Sequence, residues 1–161
     1  MKTIEMTKRA PIKEIWMIDD STIDLMIYAR IIKRSGLVEK TVQFSFAQEA
    51  LDRLSENETD KPDAVLLDIN MPVMDGFTFL ERAVETYGPG FTKILLVMLT
   101  TSISKQDRLR ARSFPVVKGY LLKPLIEEHL KHIAKICNSG TKALPEYFEA
   151  LNANVDFPLV S

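Results

Sequence analysis

The chain has 161 residues, of which 46% are hydrophobic and 27% charged, which suits one globular domain with short flanking segments. Its 21 lysines and arginines nearly balance 22 aspartates and glutamates, and this argues against nucleic-acid binding through a basic surface. The single cysteine, Cys137, excludes an intramolecular disulfide and suits a reducing compartment. Because residues 1–10 lack an apolar signal-peptide core and no apolar run could span a membrane, we expect a cytoplasmic protein.

Short apolar runs alternate with amphipathic stretches along the chain. We predict a loose N-terminal arm over residues 1–11, a domain over 12–138 and an extension over 139–161. Strands are predicted at 14–18, 41–46, 64–67, 93–99 and 116–122, and helices at 22–35, 48–54, 77–87, 104–113 and 125–137. Leu144, Phe148 and Leu151 fall at helical spacing, so the extension is predicted to hold a short helix and a tail.

Five strands alternating with five helices predict an α/β fold, with a parallel sheet covered by helices on both faces. The run at 64–67 is uniformly apolar, which is typical of a strand buried on both faces. The run at 41–46 alternates polar and apolar residues instead, which favours a position nearer the edge of the sheet.

Polar side chains follow four of the five predicted strands. Asp19 and Asp20 come after the first strand, Asp68 after the third, Thr100 after the fourth and Lys123 after the fifth. The carboxyl ends of parallel strands lie at one edge of a sheet, where ligands bind, so these groups could face one pocket. Clustered carboxylates call for a cation, and their oxygens are the ligands that Mg²⁺ prefers. A carboxylate beside Mg²⁺, a lysine and a hydroxyl is suited to attack a phosphoryl group.

Simpler structural roles are open for the same residues. The Asp19-Asp20 pair could cap the first helix, and Asp68 could stabilise a turn. Tyr120, on the fifth strand, could be ordinary core packing. His129 and His132 lie three residues apart and could share a helix face, but no third ligand has a spacing that suits a metal site.

Four motifs, each at the end of the expected strand, together resemble the receiver domain of two-component response regulators, in particular stand-alone regulators of the chemotaxis type. The motifs are Asp19-Asp20, LDINMPVMDG at 67–76, LTTS at 99–102 and YLLKP at 120–124. The resemblance covers about residues 12–137. It implies a flavodoxin-like, doubly wound five-stranded sheet of order 2-1-3-4-5, and a cis peptide bond before Pro124.

The resemblance also implies a metal site and a phosphoacceptor. Asp68 would accept the phosphoryl group, and Lys123 would pair with the phosphoryl oxygens. Asp20 and Asp68 would bind Mg²⁺ with their side chains, Asp19 through water and Asn70 through its backbone carbonyl.

A switch is implied as well. Thr100 would hydrogen-bond the phosphoryl group; we prefer it to Thr101 because it directly follows the apolar strand. Tyr120 would be the aromatic partner that turns inward as this threonine moves. The fourth helix carries Lys105, Arg108, Arg110 and Arg112, which could be a solvated face or, as the resemblance suggests, part of a signalling surface.

By resemblance the protein is a phosphorylation-dependent switch, not an enzyme, and its only catalysis is self-catalysed phosphotransfer from the donor and autodephosphorylation. The donor would be a sensor histidine kinase or a phosphotransfer protein. Residues 138–161 are too short for a DNA-binding domain, so output would pass to a partner protein or through self-association, including a homodimer. A phosphorelay shuttle and a phosphorylation-independent interaction module are alternatives. A Mg²⁺-dependent phosphatase is disfavoured, because Asn70 stands where that chemistry usually needs a second acid.

Overall fold

A parallel β-sheet forms the centre of the molecule. The computed structural model describes residues 10–56, 61–139 and 146–151, and in these ranges the sheet has six strands. The strands are β1 (Ile12–Ile18), β2 (Val38–Phe44), β3 (Ala64–Leu67), β4 (Leu95–Thr100), β5 (Val117–Leu122) and β6 (Phe148–Ala150). The helices are α1 (Thr22–Ser35), α2 (Ala47–Glu56), α3 (Gly76–Tyr87), α4 (Lys105–Ser113) and α5 (Glu127–Asn138), and a short 3-10 helix covers Gly88–Lys93.

The strand order is β2-β1-β3-β4-β5-β6, and every neighbouring pair is parallel. The predicted α/β class and the doubly wound order of the first five strands are therefore confirmed. All four residues of β3 and all six of β4 are buried, as uniformly apolar central strands require. The alternating strand β2 lies at the edge of the sheet, next to β1.

Helices cover both faces of the sheet. On one face α1 and α5 contribute buried residues such as Leu25 and Ile133, and on the other α2 and α3 contribute Leu54 and Leu80. Gly36 ends α1 in the left-handed region, at φ 68°, which a residue without a Cβ adopts readily. Among the helices in the described ranges, none is long and apolar enough to cross a membrane.

The predicted C-terminal helix is wrong for the residues that the structure describes. Phe148–Ala150 form β6, which pairs with the edge of β5, so the sheet has six strands instead of the predicted five. Phe148 and Ala150 are buried, whereas Glu149 between them is only partly buried, and this period-two pattern suits a strand. Pairing also satisfies backbone groups that an edge strand leaves open. Leu144 and residues 1–9 of the predicted N-terminal arm lie outside the described residues.

Candidate functional site

Strand pairing brings the first two acidic motifs together. β1 and β3 are neighbours in register, with Ile18 opposite Leu67, so the residues that follow them emerge side by side. The amide of Asp68 donates a hydrogen bond to the carbonyl oxygen of Ile18 at 3.0 Å. Carboxylate oxygens of Asp19, Asp20 and Asp68 all lie within 4.8 Å of one another, as the sequence predicted. Asp19 and Asp68 are buried, whereas Asp20 is exposed to solvent.

Lys123 enters this cluster from the end of β5. Its Nζ lies 2.7 Å from Oδ2 of Asp19 and 3.5 Å from Oδ2 of Asp68. It also lies 3.1 Å from Oδ2 of Asp24, in the first turn of α1. The backbone amide of Lys123 donates to the carbonyl oxygen of Thr100 at 2.8 Å, which ties the ends of β5 and β4 together. The peptide bond between Lys123 and Pro124 is cis.

The balance of charge at the site is strongly negative. Among the described residues, the carboxylates of Asp19, Asp24 and Asp68 pair with the Lys123 ammonium, and the exposed Asp20 adds a fourth carboxylate to the cluster. Burial raises the pKa of Asp68 to about 6, although the charge of Lys123 opposes this shift, and Asp19 adds to it by repulsion. Burial alone would lower the pKa of Lys123, but its hydrogen bond to Asp19 and the charges of Asp68 and Asp19 outweigh that, so its pKa is raised.

Gly76 allows the start of α3 to approach the backbone of Asp68 closely. The amide of Gly76 donates to the carbonyl oxygen of Ile69 at 2.8 Å, and a Cβ at position 76 would lie 2.3 Å from the carbonyl oxygen of Asp68. Only a residue without a side chain allows this approach. The amide of Ile69 donates to Oδ1 of Asp68 at 2.9 Å, which fixes the direction of the carboxylate. Asn70 is exposed on the loop after β3.

The two predicted switch residues lie on neighbouring strands, Thr100 at the end of β4 and Tyr120 within β5, and both contact Ser102. Thr100 is fully buried, whereas Thr101 is exposed. The hydroxyl oxygen of Thr100 accepts a hydrogen bond from the amide of Ser102 at 3.2 Å. The ring of Tyr120 is also fully buried, and its hydroxyl donates to the carbonyl oxygen of Ser102 at 2.8 Å.

Two residues of the site were not predicted as site residues from the sequence. Asp24, an acidic residue in the first turn of α1, pairs with Lys123. Tyr28, one turn further along α1, lines a small cavity together with Asp19 and Asp68. Burial raises the pKa of Tyr28, so its hydroxyl stays neutral. The helical spacing of four residues between Asp24 and Tyr28 was the available indication that both face one side.

The two histidines of α5 have structural surroundings. Nδ1 of His129 accepts a hydrogen bond from the amide of Ile126 at 3.2 Å, at the beginning of the helix. The ring of His132 packs edge-on against Phe148, with centroids 4.5 Å apart.

The acidic cluster suits a divalent cation. Hard carboxylate oxygens are the donors that Mg²⁺ prefers, and here three of them converge. In the part of the chain that the structure describes, Lys123 makes the ion pairs of these carboxylates, and its one positive charge cannot balance them, so a dication would relieve their repulsion. Asp19, Asp20 and Asp68 are the described side chains that would hold it.

The fold and site together define a flavodoxin-like α/β protein with an acidic cluster and a lysine at the carboxyl edge of its sheet. The family model described as "Response regulator receiver domain" matches residues 15–135. The chain belongs to this family of two-component signalling domains.

Similar proteins agree with this assignment. The chain is 33% identical over 120 residues to "Probable methanogenesis regulatory protein FilR2" of Methanothrix harundinacea, which covers 73% of this chain and 76% of that protein. It is 34% identical over 118 residues to "Sensor histidine kinase CheAY" of Helicobacter pylori, but there the match covers 73% of this chain and only 14% of the relative. A response regulator receiver protein from Dyadobacter fermentans has a solved structure with a TM-score of 0.70 and 29% identity, over 78% of this chain and 97% of that one.

Proposed function

We propose that the chain is a single-domain response regulator whose Asp68 accepts a phosphoryl group from a sensor histidine kinase or phosphotransfer protein, in a Mg²⁺-dependent reaction. One observation carries the proposal: Asp68 is 6% exposed, lies with Asp19 and Asp20 in one carboxylate cluster, and has Lys123 Nζ 3.5 Å from its Oδ2. This arrangement provides a nucleophile, a cation site and a fixed positive charge within one pocket.

Each step of the proposed reaction uses a described side chain. A carboxylate oxygen of Asp68 forms a bond to phosphorus while the bond from phosphorus to the donor's imidazole nitrogen breaks, and that nitrogen recovers a proton from solvent. Lys123 exchanges part of its pairing with the carboxylates for the phosphoryl oxygens. Asp20 and Asp68 with their side chains, Asp19 through water and Asn70 with its backbone carbonyl would hold Mg²⁺, which would supply charge neutralisation. Attack by water on the aspartyl phosphate later releases inorganic phosphate and restores the carboxylate.

The signal would leave the site through Thr100. Its hydroxyl, now an acceptor for the Ser102 amide, would turn to donate to a phosphoryl oxygen. Ser102 would then lose the hydrogen bond from its amide to Thr100, while its carbonyl oxygen accepts the hydrogen bond from the hydroxyl of Tyr120. The pair Thr100 and Tyr120 would thus couple the charge on Asp68 to the surface near α4.

The reaction would take place in the cytoplasm, a compartment that keeps the single cysteine reduced. The output would pass to a partner protein or to a second copy of the chain.

Acetyl phosphate with Mg²⁺ tests the proposal without the cognate donor. The full chain should gain one phosphoryl group by intact mass, and EDTA should abolish the gain. Asp68→Asn should not be labelled, whereas Asp52→Asn should, because Asp52 is an exposed residue of α2 far from the cluster in sequence. Labelling that persists in Asp68→Asn would refute the nucleophile assignment.

A further inference from the structure

The strand β6 occupies the free edge of β5. Gly119 lies opposite Phe148, Tyr120 opposite Glu149 and Leu121 opposite Ala150, all in parallel register. Without β6, the backbone groups on this side of β5 would form an open strand edge. The chain therefore covers with its own C-terminal residues an edge that could otherwise pair with another protein.

The edge is shaped to receive an aromatic side chain. Phe148 is 1% exposed, and a Cβ at position 119 would lie 2.5 Å from its ring. Glycine on β5 thus makes the space into which the ring fits. The ring of His132 on α5 contacts the same phenyl group edge-on.

The same segment also contacts α4. Nη2 of Arg108 lies 3.4 Å from Oε2 of Glu149, whose side chain is 11% exposed. The guanidinium of Arg112 lies 5.4 Å from the ring centroid of Tyr147. Residues 147–150, which we call the C-terminal latch, therefore contact α4, β5 and α5 together.

A continuous set of contacts joins the latch to the phosphoryl site. Tyr120 lies opposite Glu149 of the latch, and its hydroxyl donates to the carbonyl oxygen of Ser102. The amide of Ser102 donates to the hydroxyl oxygen of Thr100. The hydroxyl of Ser102 donates to Oδ2 of Asp107, in the first turn of α4, at 2.6 Å. A movement of Thr100 would thus disturb the loop that positions both Tyr120 and the helix that carries Arg108.

We propose that the C-terminal latch covers the β5 edge in the unphosphorylated protein and is released when Asp68 is phosphorylated. The inference rests on the proposed function, because the release requires the aspartyl phosphate. Release exposes the β5 edge, the space above Gly119 that holds the Phe148 ring, and Arg108. A partner's extended segment in which an acidic residue follows an aromatic residue would bind there. Phe148 and Glu149 of this chain have that order of aromatic and acidic residue, and they occupy the β5 edge in the structure.

Amide hydrogen exchange on the full chain tests the release. With acetyl phosphate and Mg²⁺ kept in excess, amides of β5 and β6 should exchange at least tenfold faster than with Mg²⁺ alone. Arg108→Ala should accelerate their exchange without phosphorylation, because it removes the link between α4 and Glu149. Arg110→Ala is the matched control: it removes an arginine of the same helix that pairs with Glu81 instead, and it should leave exchange in β6 unchanged.

A second variant distinguishes release of the C-terminal latch from unfolding of α4. Gly119→Ala places a methyl group where the Phe148 ring lies, so it should speed exchange in β6 while α4 stays protected. The intact mass of each sample reports its phosphorylation. A chain that is not labelled overturns the proposed function, and the release with it. A chain that is labelled while exchange in β5 and β6 stays the same overturns the latch alone.

Discussion

Replacing Asp68 with asparagine should stabilise the protein in the absence of Mg²⁺. The carboxylate is buried beside Asp19, and burial raises its pKa from 3.8 to about 6. Each pKa unit corresponds to about 1.4 kcal/mol, so a shift of roughly two units means that ionisation of Asp68 lowers the free energy of unfolding by about 3 kcal/mol. Asparagine keeps the shape and carries no charge. Lys123 keeps Asp19 at 2.7 Å and Asp24 at 3.1 Å, so it is not left unpaired in the variant.

The sign of the pH dependence follows from the raised pKa. Below about pH 4, Asp68 is protonated in both the folded and the unfolded state, and wild type and Asp68→Asn should differ little. As pH rises from 3.8 through about 6, the unfolded state releases its proton first, so the wild type loses stability relative to the variant. Above that range the variant should be more stable by about 1–3 kcal/mol.

Urea unfolding in EDTA, followed by circular dichroism between pH 4 and 8, measures this difference, with Asp52→Asn as the control. Adding Mg²⁺ to 100 times its dissociation constant should stabilise the wild type by about 2.7 kcal/mol and Asp68→Asn by much less. A variant that is less stable than wild type in EDTA at pH 7, or a stability difference that does not change with pH, would contradict the reasoning from buried charge.

Three further variants test the loop, the lysine and the switch, and a fourth, Gly36→Ala, is the control for the loop glycine. Gly76→Ala should cost about 2–3 kcal/mol by urea unfolding and weaken Mg²⁺ binding, because its Cβ would meet a backbone oxygen at 2.3 Å. Gly36→Ala, with no atom within 4 Å, should cost only about 1–2 kcal/mol. Lys123→Met should lose about 3–5 kcal/mol in EDTA, since it leaves buried carboxylates unpaired, and Mg²⁺ should restore part of that. Thr100→Val should lose about 1 kcal/mol yet retain acetyl phosphate labelling of Asp68, while β6 exchange no longer responds to it.

The negative charge at the site links stability to function. The charge of Asp68 is costly to bury beside Asp19, and a dication held there would relieve the repulsion between the carboxylates. An added phosphoryl group would change the charge balance again, so the residue whose ionisation lowers stability is also the proposed phosphoacceptor.

Much of the fold and most of the site could be predicted from the sequence, because the responsible patterns are local. Uniform apolar runs such as Ala64–Leu67 need only their own composition to be recognised as buried strands. Gly36 ends α1 as predicted, since a helix end depends on adjacent residues. Once the strands are parallel, the residues after them must meet at one edge, and the structure brings Asp19, Asp68 and Lys123 together there.

The tertiary structure alone decided the contacts that depend on distant partners. Lys123 and Asp24 are 99 residues apart in sequence, and nothing in either segment indicates that they pair. Leu144, Phe148 and Leu151 fall at helical spacing, yet an open strand edge and the space above Gly119 favour strand β6 at Phe148–Ala150. Short segments have weak intrinsic preferences, so the surface available for pairing determines their conformation. The strand and loop around Asp68 left open whether it stabilises a turn or accepts a phosphoryl group, and the polar residues that follow the first, fourth and fifth strands favoured the second role. The charge pairs and the latch around it depend on residues distant in sequence, so they required the folded chain.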